Sequence, residues 1–221
     1  MRANSSTVSS AQTAVHDGLA ALLAKHATHA FRKPVADYNR AAFNTTIAAW
    51  QAAGTRALIL DAGCGVGLST RNLAAQFPDH FVIGVDQSAD RLMRNTPWEG
   101  SVPANYVTVR ADLVDYWRLL HDAGIRPARH YLLYPNPWPK IGQLQRRWHG
   151  HAVFPTVVAL GGYFECRSNW RIYIEECAAA VTQLSGRPVD VLPYACAEPI
   201  TPFERKYRES GHSLWRCVVQ L

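Results

Sequence analysis

The segment from Leu58 to Gly67, Leu-Ile-Leu-Asp-Ala-Gly-Cys-Gly-Val-Gly, constrains the fold more than any other part of the chain. Its apolar run enters a glycine-rich turn and continues into the helical pattern of Leu68 to Phe77, which is typical of a buried strand followed by a helix. Glycine adopts positive φ angles without strain and lets the backbone approach a ligand where a Cβ would collide. The segment therefore predicts a strand, a turn and a helix with a ligand beside the turn.

The same alternation of short strands and amphipathic helices continues along the chain. The predicted strands are Ala57–Asp61, Phe81–Asp86, Tyr106–Arg110, Arg129–Tyr134, Gly162–Arg167, Val189–Ala195 and Leu214–Gln220. A helix is predicted between the fifth and sixth strands, with Ser168 or Asn169 as its N-cap and Gly186 at its end. We therefore predict an α/β fold with a doubly wound, seven-stranded, mostly parallel sheet.

The residues before this region have a helical pattern of their own. Apolar side chains recur at helical spacing between Asn4 and Gln51, and Pro34 separates two such stripes. We predict two helices here. Residues 1–53 would then form an N-terminal helical extension, and residues 54–221 would form the main domain.

Composition limits the classes of protein to which the chain can belong. The 221 residues are 48% hydrophobic and 18% charged, which excludes wholesale disorder. No apolar run approaches the roughly 18 residues of a spanning helix, and the polar start, Met1 to Ser10, lacks the apolar centre of a secretory signal. Five scattered cysteines without a C-x-x-C pair predict reduced, mostly buried thiols and no metal site. Together these features predict a cytoplasmic protein.

An acid immediately before the glycines indicates which kind of ligand fits. A dinucleotide fold has the spacing G-x-G-x-x-G, but here Leu68 occupies the third glycine position and Gly67 comes one residue early. Asp61 would repel a pyrophosphate and suits a cationic ligand instead. The second predicted strand also ends in an acid, Asp86, whose oxygens can accept hydrogen bonds from two ribose hydroxyls.

The pattern D-x-G-x-G-x-G from Asp61 to Gly67 resembles the first motif of the class I S-adenosylmethionine-dependent methyltransferases. This resemblance implies S-adenosylmethionine as the cofactor, with its ammonium group near Asp61 and its ribose at Asp86. It also implies that Asp112 reads the adenine amino group, whereas the residues alone indicate a helix cap equally well. The cofactor-binding candidates are Asp61, Gly63, Gly65, Gly67, Asp86 and Asp112.

A stiff loop follows the fourth predicted strand, at the edge where open α/β sheets bind their ligands. Its sequence, Tyr134-Pro135-Asn136-Pro137-Trp138-Pro139-Lys140, is similar to the D-P-W-P-K loop of the bacterial tRNA (guanine-N7)-methyltransferase family. The likeness extends from Leu58 to the C-terminus. Further segments match that family in the same order, namely Arg146-Arg147, Gly161-Gly162, Ser168-Asn169-Trp170, Thr201-x-Phe203-Glu204-Arg205 and Gly211-His212.

This resemblance implies methyl transfer from S-adenosylmethionine to N7 of a guanine in tRNA. The catalytic candidates are Asn136, Trp138 and Lys140. The substrate-binding candidates are Asn136, Lys140, Arg146, Arg147, Asn169, Thr201 and Glu204.

The charge of the chain favours such a partner. With 23 Lys and Arg against 17 Asp and Glu, the formal net charge of +6 suits a polyanion such as tRNA. The alternative is a scattered set of solvated surface cations. The side chains expected to contact phosphates are Lys140, Arg146, Arg147, His149, His151, Arg205, Lys206 and Arg208.

Two aspartates of that family are amides in this chain. Asn136 and Asn169 stand in their places, and residues 141–145 replace a cationic stretch. Guanine N7 carries a lone pair and needs no deprotonation, so methyl transfer can depend on positioning and desolvation. A carboxylate, however, accepts from both guanine N1–H and N2–H₂, whereas an amide sets its own donor against one of them.

The sequence therefore leaves the acceptor open. Asn136-Pro137-Trp138 is also similar to the N-P-P-Y or N-P-P-W loop of amino-group methyltransferases, which indicates an exocyclic amine or a small metabolite as the alternative. A third hypothesis is a non-catalytic RNA-binding relative that keeps the fold. The modified position, the role of the N-terminal helices and the choice between monomer and homodimer do not follow from the sequence.

Overall fold

Seven strands form a single sheet in the computed structural model, which describes residues 5–29, 31–94 and 96–221. The strands are β1 Ala57–Ala62, β2 His80–Asp86, β3 Tyr106–Arg110, β4 Arg129–Leu133, β5 Tyr163–Ser168, β6 Val191–Pro193 and β7 Trp215–Gln220. Their order is β3-β2-β1-β4-β5-β7-β6, and β7 alone runs antiparallel to both of its neighbours. The predicted doubly wound, mostly parallel sheet is confirmed.

Strand β6 is shorter than the predicted Val189–Ala195. It lies at the edge of the sheet and pairs with β7 over only three positions, from Val191 to Pro193. Proline has no N–H to donate, so it is confined to the ends and edges of sheets. The alternation of residues in the sequence did not reveal this early end.

Helices cover both faces of the sheet. They are α1 Leu19–Thr28, α2 Asp37–Ala52, α3 Leu68–Gln76, α4 Ala89–Leu92, α5 Leu113–Asp122, α6 Phe154–Ala159, α7 Arg171–Ser185 and α8 Pro202–Glu209, with short 3₁₀ turns at Ile141–Arg146 and Trp148–Gly150. Within the described ranges, no helix is long and apolar enough to span a bilayer.

Helix α7 ends as predicted but begins differently. Gly186 follows it in the left-handed conformation, with φ 70°, as the sequence indicates. Its N-cap is Trp170, whose side chain makes no capping hydrogen bond. The Ser168 hydroxyl accepts from the Trp170 N–H instead, so the prediction of Ser168 or Asn169 as N-cap is wrong.

The N-terminal region contains two helices, as predicted, but the first begins only at Leu19. Asn4, where the helical pattern was expected to start, lies outside the described residues. Residues 5–17 consist of turns and irregular backbone. Leu19, Leu23 and Phe43 belong to the same hydrophobic core as the sheet, so both helices pack onto the main body. The boundary between residues 53 and 54 stays a prediction.

Close packing against β2 seats the helix that follows the glycine turn. A Cβ at Gly84 would collide with the Thr70 hydroxyl oxygen on α3, so only glycine admits the helix at this distance. The thiols also pack inward. Cys64, Cys166, Cys177 and Cys217 are buried and Cys196 is half-buried, all as free cysteines, which confirms the predicted burial.

Candidate active site

The glycine turn between β1 and α3 forms one wall of a cleft at the carboxyl edge of the sheet. Gly63, Gly65 and Gly67 have φ angles of 81°, 59° and 74°, which other residues adopt at a cost. A Cβ at Gly65 would meet no protein atom within 4 Å, so the space beside it is open. The cleft has a volume of about 250 Å³, and its lining includes Gly63, Gly65, Asp86, Asp112, Asn136, Trp138 and Arg146.

Asp86 braces this turn from the end of the neighbouring strand. Its Oδ2 accepts from the Gly65 N–H at 2.9 Å, and its Oδ1 accepts from the Ser88 N–H at 2.8 Å. The Arg91 guanidinium lies 3.7 Å from Oδ2. Each carboxylate oxygen has a further lone pair, so Asp86 can still accept from ligand hydroxyls in the cleft.

Asp61 lies behind the turn rather than in the lining of the cleft. Its Oδ2 accepts from the hydroxyls of Ser69 at 2.6 Å and Thr70 at 2.7 Å. Its Oδ1 is buried and has no hydrogen-bond partner among the described residues. Burial raises the pKa of this carboxyl to about 6, although the two hydroxyl hydrogen bonds counteract the rise. Asp61 therefore acts on a cationic group in the cleft through its charge, across the glycine turn, and not by direct contact.

Asp112 caps a helix and also lines the cleft, and its contact with adenine stays a prediction. It is the N-cap of α5, and its Oδ1 accepts from the Val114 N–H at 2.9 Å. Its side chain also contributes to the cleft, beside the apolar Leu113 and Leu132. An acid next to apolar side chains is a suitable surface for a heterocycle that carries an amino group. The residues around the cleft thus fit the expected S-adenosylmethionine.

The loop after β4 forms the opposite wall of the cleft in a tightly turned conformation. Tyr134 and Trp138 have positive φ angles, 52° and 45°. The exposed Asn136 accepts from the Trp138 N–H through Oδ1 at 3.3 Å, and the Arg146 guanidinium lies over the Trp138 ring at 4.8 Å. Lys140 is exposed and lies outside the lining of the cleft.

Arg147 is not available to a phosphate, which corrects the prediction for this residue. Its side chain is fully buried and pairs with the equally buried Glu176 at 2.6 Å. His149 is also fully buried, with Nε2 2.8 Å from the same carboxylate, and burial lowers its pKa. Of the two adjacent arginines, only Arg146 faces solvent.

Thr201 and Glu204 also have structural partners instead of lining the cleft. Thr201 is the N-cap of α8, and its hydroxyl accepts from the Glu204 N–H at 2.9 Å. The fully buried Glu204 carboxylate accepts from Arg167 at 2.7 Å and from the Ile200 N–H at 2.7 Å. The structure thus corrects the prediction of direct substrate contact for both residues.

Asn169 also lies outside the cleft lining. Its Nδ2 is 3.1 Å from Nδ1 of His212. The ring of His212 stacks on Tyr207 at 5.2 Å, and Tyr207 stacks on Phe203 at 6.0 Å. The rings of His212, Tyr207 and Phe203 therefore lie between this amide and the cleft.

The lining also includes residues that the sequence did not indicate as site residues, among them Gln87, Arg91, Trp148 and Phe203. Phe203 is 47% exposed although it is a large apolar side chain. Phe203 lies in the Thr201-x-Phe203-Glu204-Arg205 segment, but the sequence alone did not indicate that its ring faces the cleft. Among the described residues, no cluster of three or more His, Cys, Asp or Glu side chains could hold a metal ion.

The sheet order, the glycine turn and the acids at successive strand ends define a class I methyltransferase. Residues 55–217 match the family Methyltransf_4, described as "Putative methyltransferase", and the chain belongs to that family. The expected class of protein, a methyltransferase, is therefore confirmed.

Curated relatives carry a more specific name. The tRNA (guanine-N(7)-)-methyltransferase of Zymomonas mobilis is 29% identical over 72% of this chain and 73% of its own length. The protein of the same name from Burkholderia cenocepacia is 28% identical over 73% of this chain and 66% of its own length. The chain thus spans about two thirds to three quarters of these relatives.

Solved structures share the fold at lower identity. A variant of the 16S rRNA (adenine(1408)-N(1))-methyltransferase from Catenulisporales acidiphilia, solved with cosubstrate SAM, superposes with a TM-score of 0.54. It is 20% identical and covers 79% of this chain and 91% of its own. The 16S rRNA methyltransferase KamB gives 0.52 at 16% identity, over 86% and 95% of the two chains.

Proposed function

We propose that the chain transfers a methyl group from S-adenosylmethionine to N7 of a guanine in tRNA. The observation that carries this proposal is one continuous cleft in which Gly63, Gly65 and Asp86 face the same space as Asn136 and Trp138. Residues suited to the cofactor and residues suited to the acceptor thus share a single cavity. The names of the curated relatives support the guanine and the tRNA.

The residues of the chain supply positioning rather than acid–base chemistry. When bound, the cofactor supplies an electrophilic methyl group. Asp86 accepts from the ribose hydroxyls while it holds Gly65 in place. Leu113, Leu132 and Trp148 exclude water from the cleft. Because guanine N7 presents a lone pair, alignment of acceptor and donor is sufficient, and no general base is needed.

Asn136 fits the edge of guanine that carries N7. With Oδ1 engaged by the Trp138 N–H, the free end of the amide is its Nδ2 donor. Guanine presents N7 and O6 side by side as acceptors. We propose that Asn136 donates to O6 and thereby orients N7, which explains how an amide serves where the resemblance implies a carboxylate.

Phe203 offers a stacking surface for the same base. Its ring is exposed at the cleft, on the side of α8. Bases taken out of an RNA fold stack on aromatic side chains in this way. The stacked Tyr207 beneath it, at 6.0 Å and 25°, supports the ring from behind.

The cations that remain exposed form the proposed RNA contact. Lys140 and Arg146 flank the loop, and Arg205 and Lys206 lie on α8 beside a groove of about 550 Å³ that also includes Trp98. Glu99 and Glu209 line the same groove, so the contact is not uniformly basic. A tRNA acceptor also agrees with a cytoplasmic location.

The test is to incubate the protein with methyl-labelled S-adenosylmethionine and separate pools of tRNA and small metabolites. We expect label in tRNA and, after digestion, 7-methylguanosine. Label on an exocyclic amine or in the metabolite pool would support the alternative acceptors. Cofactor binding without transfer to either pool would support a non-catalytic relative.

A further inference from the structure

A buried side chain, Arg147, holds the backbone of residues 134–140, which we call the acceptor loop. The guanidinium of Arg147 donates through Nε to the carbonyl of Trp138 at 3.2 Å and through a terminal nitrogen to the carbonyl of Lys140 at 3.4 Å. Its other terminal nitrogen donates to Glu176 at 2.6 Å. The flat face of the guanidinium lies over the Trp170 ring at 4.9 Å. Arg147 thus connects both sides of Pro139 to helix α7.

Glu176 fixes Arg147 through a fully satisfied carboxylate. Its Oε2 accepts from Arg147 and from His149, and its Oε1 accepts from the Gln12 side chain at 2.6 Å and the His16 N–H at 3.0 Å. Burial alone would raise the pKa of Glu176, but these donors lower it to about 2. The carboxylate is therefore ionised at neutral pH, and the arginine has a charged anchor that cannot move into solvent.

Few hydrogen bonds within the acceptor loop stabilise its conformation. Pro135, Pro137 and Pro139 have no N–H to donate. The Trp138 N–H reaches only the Asn136 side chain, at the long distance of 3.3 Å, and Trp138 itself has a strained φ of 45°. Its conformation therefore depends on donors from elsewhere in the fold.

We propose that Arg147, anchored by Glu176, is the positioning residue that sets the acceptor loop for methyl transfer. The inference rests on the proposed function, because it assigns Trp138 to Lys140 to the acceptor side. Neither Arg147 nor Glu176 lines the cleft. A buried ion pair is an unreliable source of stability, since desolvation offsets its attraction. Arg147 donates to two loop carbonyls in fixed directions. An apolar pair of the same volume could not make these hydrogen bonds.

The decisive variant is Arg147→Lys. A lysine keeps the charge beside Glu176 but has no planar fork with which to reach both carbonyls. We expect the ¹⁵N-relaxation order parameters of the Trp138 and Lys140 amides to fall from about 0.85 to below about 0.6, and kcat/KM for the acceptor to fall about tenfold or more. The affinity for S-adenosylhomocysteine, measured by calorimetry, should stay within about twofold of the original.

Two companion variants exclude a merely structural effect. Arg171→Lys alters an exposed pair with Glu175 on the same helix, at 2.7 Å, and should change none of these readouts. Glu176→Gln serves if Arg147→Lys does not fold, because it keeps the shape of the side chain but removes the charge that anchors Arg147. It should lower the order parameters of the loop to a smaller extent.

The order parameters need no acceptor, so they separate this inference from the proposed function. If transfer is never detected but Arg147→Lys lowers the order of residues 136–140 selectively, the positioning role stands and the acceptor is wrong. If the order of the loop is unchanged in a folded Arg147→Lys protein, or falls equally throughout α7, the inference is overturned. Unchanged loop order in a folded Glu176→Gln protein has the same meaning.

Discussion

The carboxylate of Asp86 accepts a hydrogen bond from the Gly65 N–H at 2.9 Å, so the end of β2 supports the turn that follows β1. The two strands are parallel neighbours, with Ala62 paired to Val85, and their carboxyl ends therefore meet. A single acid thus supports the glycine turn and also lines the cleft.

The first prediction concerns Asp86→Asn. The amide loses the negative charge and one of the two acceptor oxygens. We expect the affinity for S-adenosylhomocysteine to fall roughly 10- to 100-fold, as for loss of a hydrogen bond to a charged group. Calorimetry measures this affinity. The matched control is Asp90→Asn, because Asp90 is exposed on α4. An affinity equal to the original would refute the assignment of Asp86 to the ribose.

The second prediction concerns pH. Burial raises the pKa of Asp61 from 3.8 to about 6, so the folded protein holds this proton more tightly than the unfolded chain. Stability from this group is therefore present at low pH and is lost as pH rises from about 4 to about 6. A cationic ligand group favours the ionised form. We expect cofactor affinity to fall by up to about tenfold per pH unit below about pH 6.

Asp61→Asn tests that dependence directly. Calorimetric titrations from about pH 5 to about pH 7 should show weaker binding and a flatter profile for the variant. An unaltered slope in Asp61→Asn would assign the pH dependence to another group.

The third prediction concerns Asn136→Asp. If Nδ2 donates to guanine O6, the added carboxylate faces two acceptors, and kcat/KM should fall about 10- to 100-fold. If the amide instead stands in for a carboxylate at N1–H and N2–H₂, the same variant should be faster than the original protein. Single-turnover rates of tRNA methylation decide between these outcomes, and cofactor affinity should change little in either case.

The fourth prediction concerns Phe203. Stacking of a base on an aromatic ring contributes about 1–3 kcal/mol, so Phe203→Ala should raise KM for tRNA between about 5-fold and about 150-fold. Phe203→Tyr keeps the ring and should retain most of the affinity. Equal KM values for the alanine and tyrosine variants would remove Phe203 from the acceptor site.

The fifth prediction uses salt. Arg205→Ala and Lys206→Ala should each reduce the slope of log binding constant against log salt concentration by roughly one. Arg187→Ala is the control, because this exposed cation lines a different surface, beside Leu221. Filter binding with unmodified tRNA measures all three. Equal slopes in every variant would place the RNA elsewhere.

Local pattern accounts for what the sequence predicts well. The apolar runs ending in Asp61 and Asp86, and the glycines between β1 and α3, carry their structural meaning in adjacent residues. The adjacent residues do not predict the partners of Arg146 and Arg147, because tertiary packing alone decides which of two neighbouring arginines is buried. Thr201 and Glu204 form the S/T-x-x-E pattern of a helix start, which indicates a cap before it indicates a ligand contact.

Residues 5–17 illustrate a second limit. Their apolar spacing resembles that of a helix, yet Ser10 and Gln12 bond to Pro139 and Glu176, far along the chain. The His16 backbone N–H also donates to Glu176, and no local sequence pattern predicts such long-range hydrogen bonds.

Of the five cysteines only Cys196 is not fully buried, and partial burial raises the pKa of its thiol. Cys196 precedes α8, and its backbone carbonyl lies 3.4 Å from the Arg208 guanidinium. A fluorophore attached there by maleimide chemistry would report on RNA docking without any engineered cysteine.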